Sequence, residues 1–334
     1  MNYLSEAKDI EFVVEELTSF KSLANSYKLS NAIKAMFKLL SDCRRFVKVK
    51  SKVVLLSYPS IPLVPFTSNV KFPLAFACYF AWHIKTLFTK QLLVVVVADL
   101  PIDQSLCFHK KIRVNIKWYN SFEKFLFRRT QRIVVLSNAF KDEIQKKHHI
   151  HDSKFLIYSR NDYLPVFRGT GNPEFADLKG SPRIFYAGDL RRDADKINLT
   201  RVFDVMQKYP SSYLYICGMG GEWISKLNLP NVVFVGMLDY VDHDALASRC
   251  DCALIIYPNY GYYNLTTTSK YSAYVGNGLA VLSSDTETVA KCITEDGVGK
   301  AVPMEQLPEE LGRWISTPEL FRDYKKRAME LGPD

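Results

Sequence analysis

The residues best suited to chemistry follow the apolar runs of the second half of the chain. RIFYAGDL (Arg183–Leu190) leads into Gly188, Asp189, Arg191 and Arg192, and SYLYICGMGG (Ser212–Gly221) ends in Gly218, Gly220 and Gly221. NVVFVGML (Asn231–Leu238) closes on Met237 and Leu238. DCALIIYP (Asp251–Pro258) runs into Tyr260, Tyr262, Tyr263, Asn264, Thr266, Thr267 and Thr268, and Ser269 and Lys270 then open a helical pattern. Hydroxyls, a lysine and the free N–H groups of a helix start together make an anion site. An arginine from the first of these loops could neutralise the same anion. A nucleotide diphosphate fits that chemistry. A hydroxyl-capped helix with a solvated lysine has the same spelling, so spacing alone leaves both readings open.

The first half offers fewer groups. Asp99, Asp103 and Gln104 follow LLVVVVADL, and Ser137 and Asn138 follow RIVVL. A carboxylate at a strand end could act as general base or hold a sugar hydroxyl; a loop or cap residue is the plainer reading. Other spellings carry little. Gly218–Gly221 is not a full G-x-G-x-x-G. Asp193-Ala194-Asp195 and Asp242-His243-Asp244 could hold Mg²⁺ or Mn²⁺, but both sit in charged, helix-opening stretches, and no metal is assigned. His148-His149-Ile150-His151 reads as a solvated loop. There is no Ser–His–Asp order, nucleophile elbow or Walker loop.

The elements that must position these groups alternate strand and helix. Residues 30–46 read as an amphipathic helix with a basic side, Lys52–Tyr58 as a strand, and Phe72–Phe88 as a buried helix, too short and too charged at His83 and Lys85 to span a bilayer. Leu92–Leu100 is continuously apolar, as in a parallel strand covered on both faces. A helix through Phe122–Arg129, a strand at Arg132–Ser137, a helix capped by Asn138 and a strand at Lys154–Ser159 follow. Arg168–Pro182 is polar and turn-rich, as in a linker. Beyond it, the four runs named above alternate with helices at Thr200–Tyr209 and Asp242–Cys250. Ser269–Gly278 reads as a helix, Leu279–Asp285 as a strand and GKAV as the last strand. This rhythm predicts a doubly wound parallel sheet in each half, with ligands at the carboxyl ends of the strands.

Composition is that of a globular chain: 334 residues, 48% hydrophobic and 24% charged, which excludes collagen-like or mostly disordered protein. Charge divides unevenly, +14 over residues 1–170 and −5 over 171–334, together the chain's +9. The basic groups (Arg44, Arg45, Lys48, Lys50, Lys52; Lys110, Lys111, Arg113, Lys117; Arg128, Arg129, Arg132) have aromatics among them. They suit an anionic membrane surface or a solvated face better than nucleic acid. Seven cysteines with no C-x-x-C pair point inside the cell as free, mostly buried thiols, and the opening MNYLSEAKD has no apolar core of a signal peptide.

Three stretches of the second half resemble the nucleotide-sugar-binding domain of GT-B glycosyltransferases. More narrowly, they resemble the bacterial family of serine-rich-repeat adhesin glucosyltransferases and O-antigen galactofuranosyltransferases. IFYAGDLRR looks like the family's strand and G-N-x-x-R; TTTSKYSAYVGNGLAVLSSD like its S-x-K segment with the following G-x-P-V; and TEDGVGKAV like its closing N-x-G-x-G-x-x-V strand. RIVVLSNAFKDEI resembles the strand before the linker. Departures are visible. Ala280 replaces the proline, Leu265 and Ala273 stand where larger relatives carry E-x₇-E, and Ala98-Asp99 replaces His-Asp. The strand and glycine loop that normally open the first domain are not found; Ile10–Leu17 looks like the second strand.

The resemblance implies an α/β GT-B fold, two Rossmann-like doubly wound domains facing a cleft. The acceptor-side domain would be 1–168, the linker 169–180, the nucleotide-sugar domain 181–317 and a closing helix 318–334. It implies a metal-independent hexosyltransferase with no cofactor besides its donor, a nucleotide sugar, by resemblance UDP-linked. The hexose would be glucose, galactose, galactofuranose or an N-acetylhexosamine, and the acceptor a saccharide, lipid-linked or glycoprotein surface glycan. Arg192 and Lys270 would steady the departing diphosphate and Asp99 would serve as base. Gly188, Asp189, Gly218, Met237, Leu238, Asn264, Thr268, Ser269 and Tyr271 would complete the donor site; Asp99, Asp103, Ser137 and Asn138 the acceptor side. The place would be cytoplasmic, with peripheral contact to the inner membrane face through the basic half, homo-oligomerisation left open and no nucleic-acid partner. A GT-B-fold epimerase, a metal-dependent transferase and a non-enzymatic membrane-surface adaptor are the rivals.

Overall fold

The computed structural model describes residues 53–58, 84, 88, 91–107, 116–158, 175, 177–191, 193–266 and 268–331. The predicted helix at 30–46 lies outside them, as does Phe72–Phe88 apart from the helical residues Ile84 and Phe88. Most of the predicted linker lies outside them too. The chain divides into two compact units, residues 1–134 with 145–156, and 135–144 with 157–334.

In the first unit, strand β1 (Val53–Tyr58) pairs in parallel with β2 (Leu92–Val97). Helices α1 (Pro101–Cys107) and α2 (Ile116–Arg129) follow, then β3 (Arg132–Val135); next come α3 (Asn138–His148), whose residues 138–144 belong to the second unit, and β4 (Phe155–Ile157). The strand order is β1-β2-β3-β4. Leu93, Val95 and Val97 of β2 are buried, as are Tyr119, Phe122, Leu126 and Phe127 of α2. Helix α2 begins earlier than its periodicity suggests, because Ile116 and Lys117 form an exposed first turn.

Two expectations are corrected here. Asn138 does not cap α3; Ser137 does, its Oγ accepting from the Phe140 N–H at 3.0 Å. A cap must sit one residue outside the helix, and Asn138 is already its first residue. Nor is His148 solvated. It ends α3 fully buried, its Nε2 3.0 Å from Glu123 Oε2 on α2, a partner invisible in the local sequence. His149 and His151 are exposed.

The second unit holds β5 (Arg183–Asp189), α4 (Asp193–Lys208), β6 (Tyr213–Met219), α5 (Glu222–Ser225), β7 (Val232–Gly236) and α6 (Tyr240–Ala247). Then come β8 (Cys252–Ile255), α7 (Tyr262–Leu265), α8 (Ser269–Gly276), β9 (Ala280–Ser284), α9 (Glu287–Asp296), β10 (Gly299–Val302), α10 (Leu307–Ser316) and α11 (Glu319–Leu331). Its sheet is parallel with order β10-β9-β8-β5-β6-β7.

Alternation along the strands fills two layers, which is why the runs are apolar at every position. Ile184, Tyr186, Leu214, Ile216, Leu254 and Leu282 pack on the side of α4 and α10. Phe185, Tyr215, Cys217, Ala253, Ile255 and Val281 pack on the side of α6, α8 and α9. Cys250 and Cys252 fall in opposite layers, both as free thiols that burial pushes far above the usual range. The order reverses between β5 and β8, the switch point at which open α/β sheets bind ligands beyond their strand carboxyl ends.

Candidate anion site at the switch point of the second sheet

The two strands flanking the switch point each bring a tyrosine. Tyr186 is fully buried in the middle of β5, and Tyr257 follows β8, its N–H donating to Ser284 Oγ on β9 at 2.9 Å. Helix α8 starts close by, and Lys270 in its first turn folds back over both rings. The Nζ is 4.9 Å from the Tyr186 centroid and 4.8 Å from that of Tyr257. Both distances lie within cation–π range. Among the described residues no carboxylate pairs with this ammonium. A half-buried cation without an internal anion is an open site for an external one.

The start of α8 is built to support it. Thr268 is the N-cap, its Oγ accepting from the Lys270 N–H at 3.2 Å and lying 3.2 Å from Tyr257 Oη. Tyr274, one turn on, is buried and accepts from the Ala187 N–H at 3.0 Å, tying α8 to the end of β5. Burial pushes the Tyr274 phenol well up, so it stays neutral. Cys217 on β6 is pushed up to about 12 by burial, against the opposing pull of the Lys270 charge, and is likewise neutral.

The floor is glycine for a steric reason. Gly188 and Gly218 face each other in register on β5 and β6. Gly218 has φ +139°, and a Cβ there would lie 1.9 Å from the Gly188 carbonyl oxygen. A Cβ on Gly188 would meet the Tyr186 hydroxyl at 2.9 Å, displacing one of the rings under Lys270. Bare backbone at these strand ends permits close approach by a ligand.

The remaining donor-side candidates divide. Gly188, Asp189, Gly218, Met237, Leu238, Asn264, Thr268, Ser269 and Lys270 all fall at or just past the carboxyl ends of the strands. Met237 is 71% exposed, whereas Leu238 packs into the core below. Asp189 is already engaged, bidentate with Arg191 at 2.7 and 2.8 Å. Asn264, in α7, is a brace. Its Nδ2 donates to Asn259 Oδ1, its Oδ1 accepts from the Glu287 N–H, and its carbonyl accepts from Thr288. Tyr271 is turned away, because the residue after Lys270 sits about 100° round the helix. It is buried, and its hydroxyl donates to Asp296 at 2.5 Å. Its side chain is therefore withdrawn from the donor group. Arg192 lies outside the described residues.

On the other side, Asp99 is half-buried just after β2 and accepts from Gln104 Nε2 at 3.3 Å. Asp103 pairs with Lys147 at 2.8 Å. Lys147 also meets the fully buried Glu123 at 3.0 Å. Burial alone would raise the Glu123 carboxyl, but the His148 hydrogen bond and the Lys147 charge hold it below its usual range. Ser137 donates to the Leu265 carbonyl at 2.7 Å besides capping α3, and Asn138 is exposed.

Of the two D-x-D pairs, Asp242 donates its N–H to Asp239, and Asp244 is buried between His243 and Asn277 at 2.9 and 3.1 Å. The Asp193 and Asp195 side chains lie outside the described set. Among the described residues no three His, Cys, Asp or Glu side chains are placed to hold a metal. No described helix is long and apolar enough to cross a membrane.

Sequence reasoning did not single out Tyr186 and Tyr257 as functional. A tyrosine inside the β5 run and another just after the β8 run were the available signals.

No protein-family model and no curated protein matches this sequence. Solved structures do match its shape. WaaG, a glycosyltransferase involved in lipopolysaccharide biosynthesis, aligns at TM-score 0.56 and 18% identity, over 80% of this chain and 80% of that one. Sucrose-phosphate synthase from Thermosynechococcus elongatus aligns at 0.61 and 13%, over 98% and 76%. Anabaena Alr3699/HepE in complex with UDP aligns at 0.58 and 10%, over 88% and 76%. At these identities the likeness establishes the fold, α/β of the GT-B type with two parallel-sheet domains.

Proposed function

We propose that the protein is a glycosyltransferase that takes a hexose from a nucleotide-diphosphate sugar, UDP-linked, to a saccharide, lipid-linked or glycoprotein acceptor of a bacterial surface glycan. The observation that carries this reading is the ammonium of Lys270 at the switch point, paired with no carboxylate among the described residues and lying beside the N-terminus of α8. Breaking the anomeric bond leaves a second negative charge on the terminal phosphate of the nucleotide diphosphate. A fixed cation and oriented backbone N–H groups stabilise that charge without having to reorganise. Arg192, by its place in the motif, is the second cation. The Gly188–Gly218 floor admits the diphosphate backbone, and the Met237–Leu238 turn borders the nucleoside.

Asp99 is the proposed base or acceptor ligand. The fold likeness to a glycosyltransferase of lipopolysaccharide biosynthesis and to a UDP-bound protein is consistent with this chemistry. The basic first half is proposed to dock on the anionic cytoplasmic membrane face, where a lipid-linked acceptor would be met. Residues 1–168 are the acceptor domain and 181–317 the donor domain in this proposal.

A thermal-shift panel with UDP, GDP, CMP and NAD tests the donor class. A selective rise with UDP supports the reading, and no rise with any diphosphate removes it. Product analysis with UDP-hexoses then separates transfer from epimerisation. Chelator addition tests the metal-independent route, and retained activity is expected.

A further inference from the structure

Lys270 has three features that a flexible lysine at a helix start ordinarily lacks. Its ammonium is over two aromatic faces at once, at 4.8 and 4.9 Å. One face comes from β5 and the other from Tyr257, two residues past β8, the strands on either side of the switch point. One of the two rings, Tyr257, is also hydrogen-bonded to the cap of Lys270's own helix through Thr268 Oγ.

A ring face differs from a carboxylate in what it leaves over. An aspartate would hold the ammonium equally still, but it would neutralise its charge and occupy its N–H groups. A π-face attracts the cation through its quadrupole and keeps the net charge at +1. The N–H bonds pointing away from the rings stay available. Lysine also loses about 2 kcal/mol of rotamer freedom when immobilised. A site that fixes it before the ligand arrives removes that cost from binding.

The geometry points to Tyr257, with Tyr186 beneath it, as the positioning residues of the anion site: an aromatic bed that pre-orients the Lys270 ammonium toward a diphosphate and leaves it unneutralised. This rests on the donor-site reading above. Tyr186 is part of the core, and its hydroxyl lies 2.9 Å from where a Cβ on Gly188 would stand, so Gly188 is required for the bed as well as for the floor. Tyr257 is half-buried and can be substituted with less damage.

Calorimetric titration of the full chain with UDP and with uridine, on wild type and on Tyr257→Phe, Tyr257→Met and Lys270→Ala, tests this. Tyr257→Met should weaken UDP by about 3- to 30-fold, the range of a cation–π contact. Tyr257→Phe keeps the ring and should recover most of that loss, although it too lacks the hydroxyl bonded to Thr268. Uridine, without phosphates, should bind all four alike. In a Lys270→Ala background the Tyr257→Met effect should vanish, which a merely structural role would not produce. Should Tyr257→Met fail to fold by circular dichroism, Tyr257→Leu takes its place.

The proposal is overturned if the Met variant binds UDP like wild type, if Phe loses as much as Met, or if the Met effect persists without Lys270. If wild type does not bind UDP, or Lys270→Ala binds it as tightly as wild type, the donor-site reading itself falls. If Lys270→Ala loses UDP and Tyr257→Met does not, only the positioning role falls.

Discussion

The ammonium of Lys270 stands 4.8 Å from the centre of the Tyr257 ring, and the hydroxyl of that ring is 3.2 Å from Thr268, the cap of the helix that carries Lys270. Cap, ring and cation are thus one unit. Tyr257, two residues past strand β8, supplies the ring, and the chain then passes through α7 to the start of α8.

Thr268→Ala removes the side-chain acceptor for the Lys270 N–H. A lost N-cap costs about 1 kcal/mol. Thermal or urea unfolding should show that loss for Ala and little loss for Thr268→Ser, and UDP affinity should fall in the same order.

Gly218→Ala places a methyl 1.9 Å from the Gly188 carbonyl at a φ that L-residues rarely adopt. The backbone of β5 or β6 must move. Destabilisation of at least about 2 kcal/mol is expected, read as a shift in denaturant midpoint. Unchanged stability would mean the strand ends are not as close as they stand here.

Glu123→Gln should weaken the first unit in a pH-dependent way. The native carboxyl is held below its ordinary 4.5 by His148 and Lys147 against its burial. A depressed native pKa stabilises at all pH above the unfolded value, and this contribution is lost as pH falls through the folded one. Replacing one partner of a buried pair costs about 3 kcal/mol at neutral pH. The gap between variant and wild type should narrow below pH 4.5, checked by unfolding at pH 7 and pH 4.

Asp99→Asn tests the proposed base. It keeps the size of the side chain that accepts from Gln104. If Asp99 moves the acceptor proton, turnover should drop about 10²- to 10⁴-fold with UDP affinity unchanged. A fall in UDP affinity alone would place its role elsewhere.

Much of the second unit was legible because its physics is local. Runs such as ALII (Ala253–Ile256) and LAVL (Leu279–Leu282) are apolar at every position, as in a strand covered on both faces. Glycines and hydroxyls then mark where those runs end. Lys270 stood out for a related reason, as a lysine in the first turn of a helix behind three threonines. What lies under it was not. Tyr186 and Tyr257 meet Lys270 only once β5 and β8 become neighbours, and that adjacency is a product of the crossover. His148 shows the same limit: a polar run of histidines looks solvated until α2 brings Glu123 against it. Tyr271 shows a different one. It is adjacent to Lys270 in sequence, but a helix presents successive residues to different sides, and Tyr271 faces the core.

The central claim is that Lys270 binds a nucleotide diphosphate. Thermal unfolding of wild type and Lys270→Ala, each with and without saturating UDP, measures it most directly. The account predicts that UDP at a hundredfold excess over its dissociation constant stabilises wild type by about 2.7 kcal/mol. Lys270→Ala, unfolding at the wild-type temperature without ligand, should gain almost nothing. Equal UDP stabilisation of both proteins, or none of either, would contradict it.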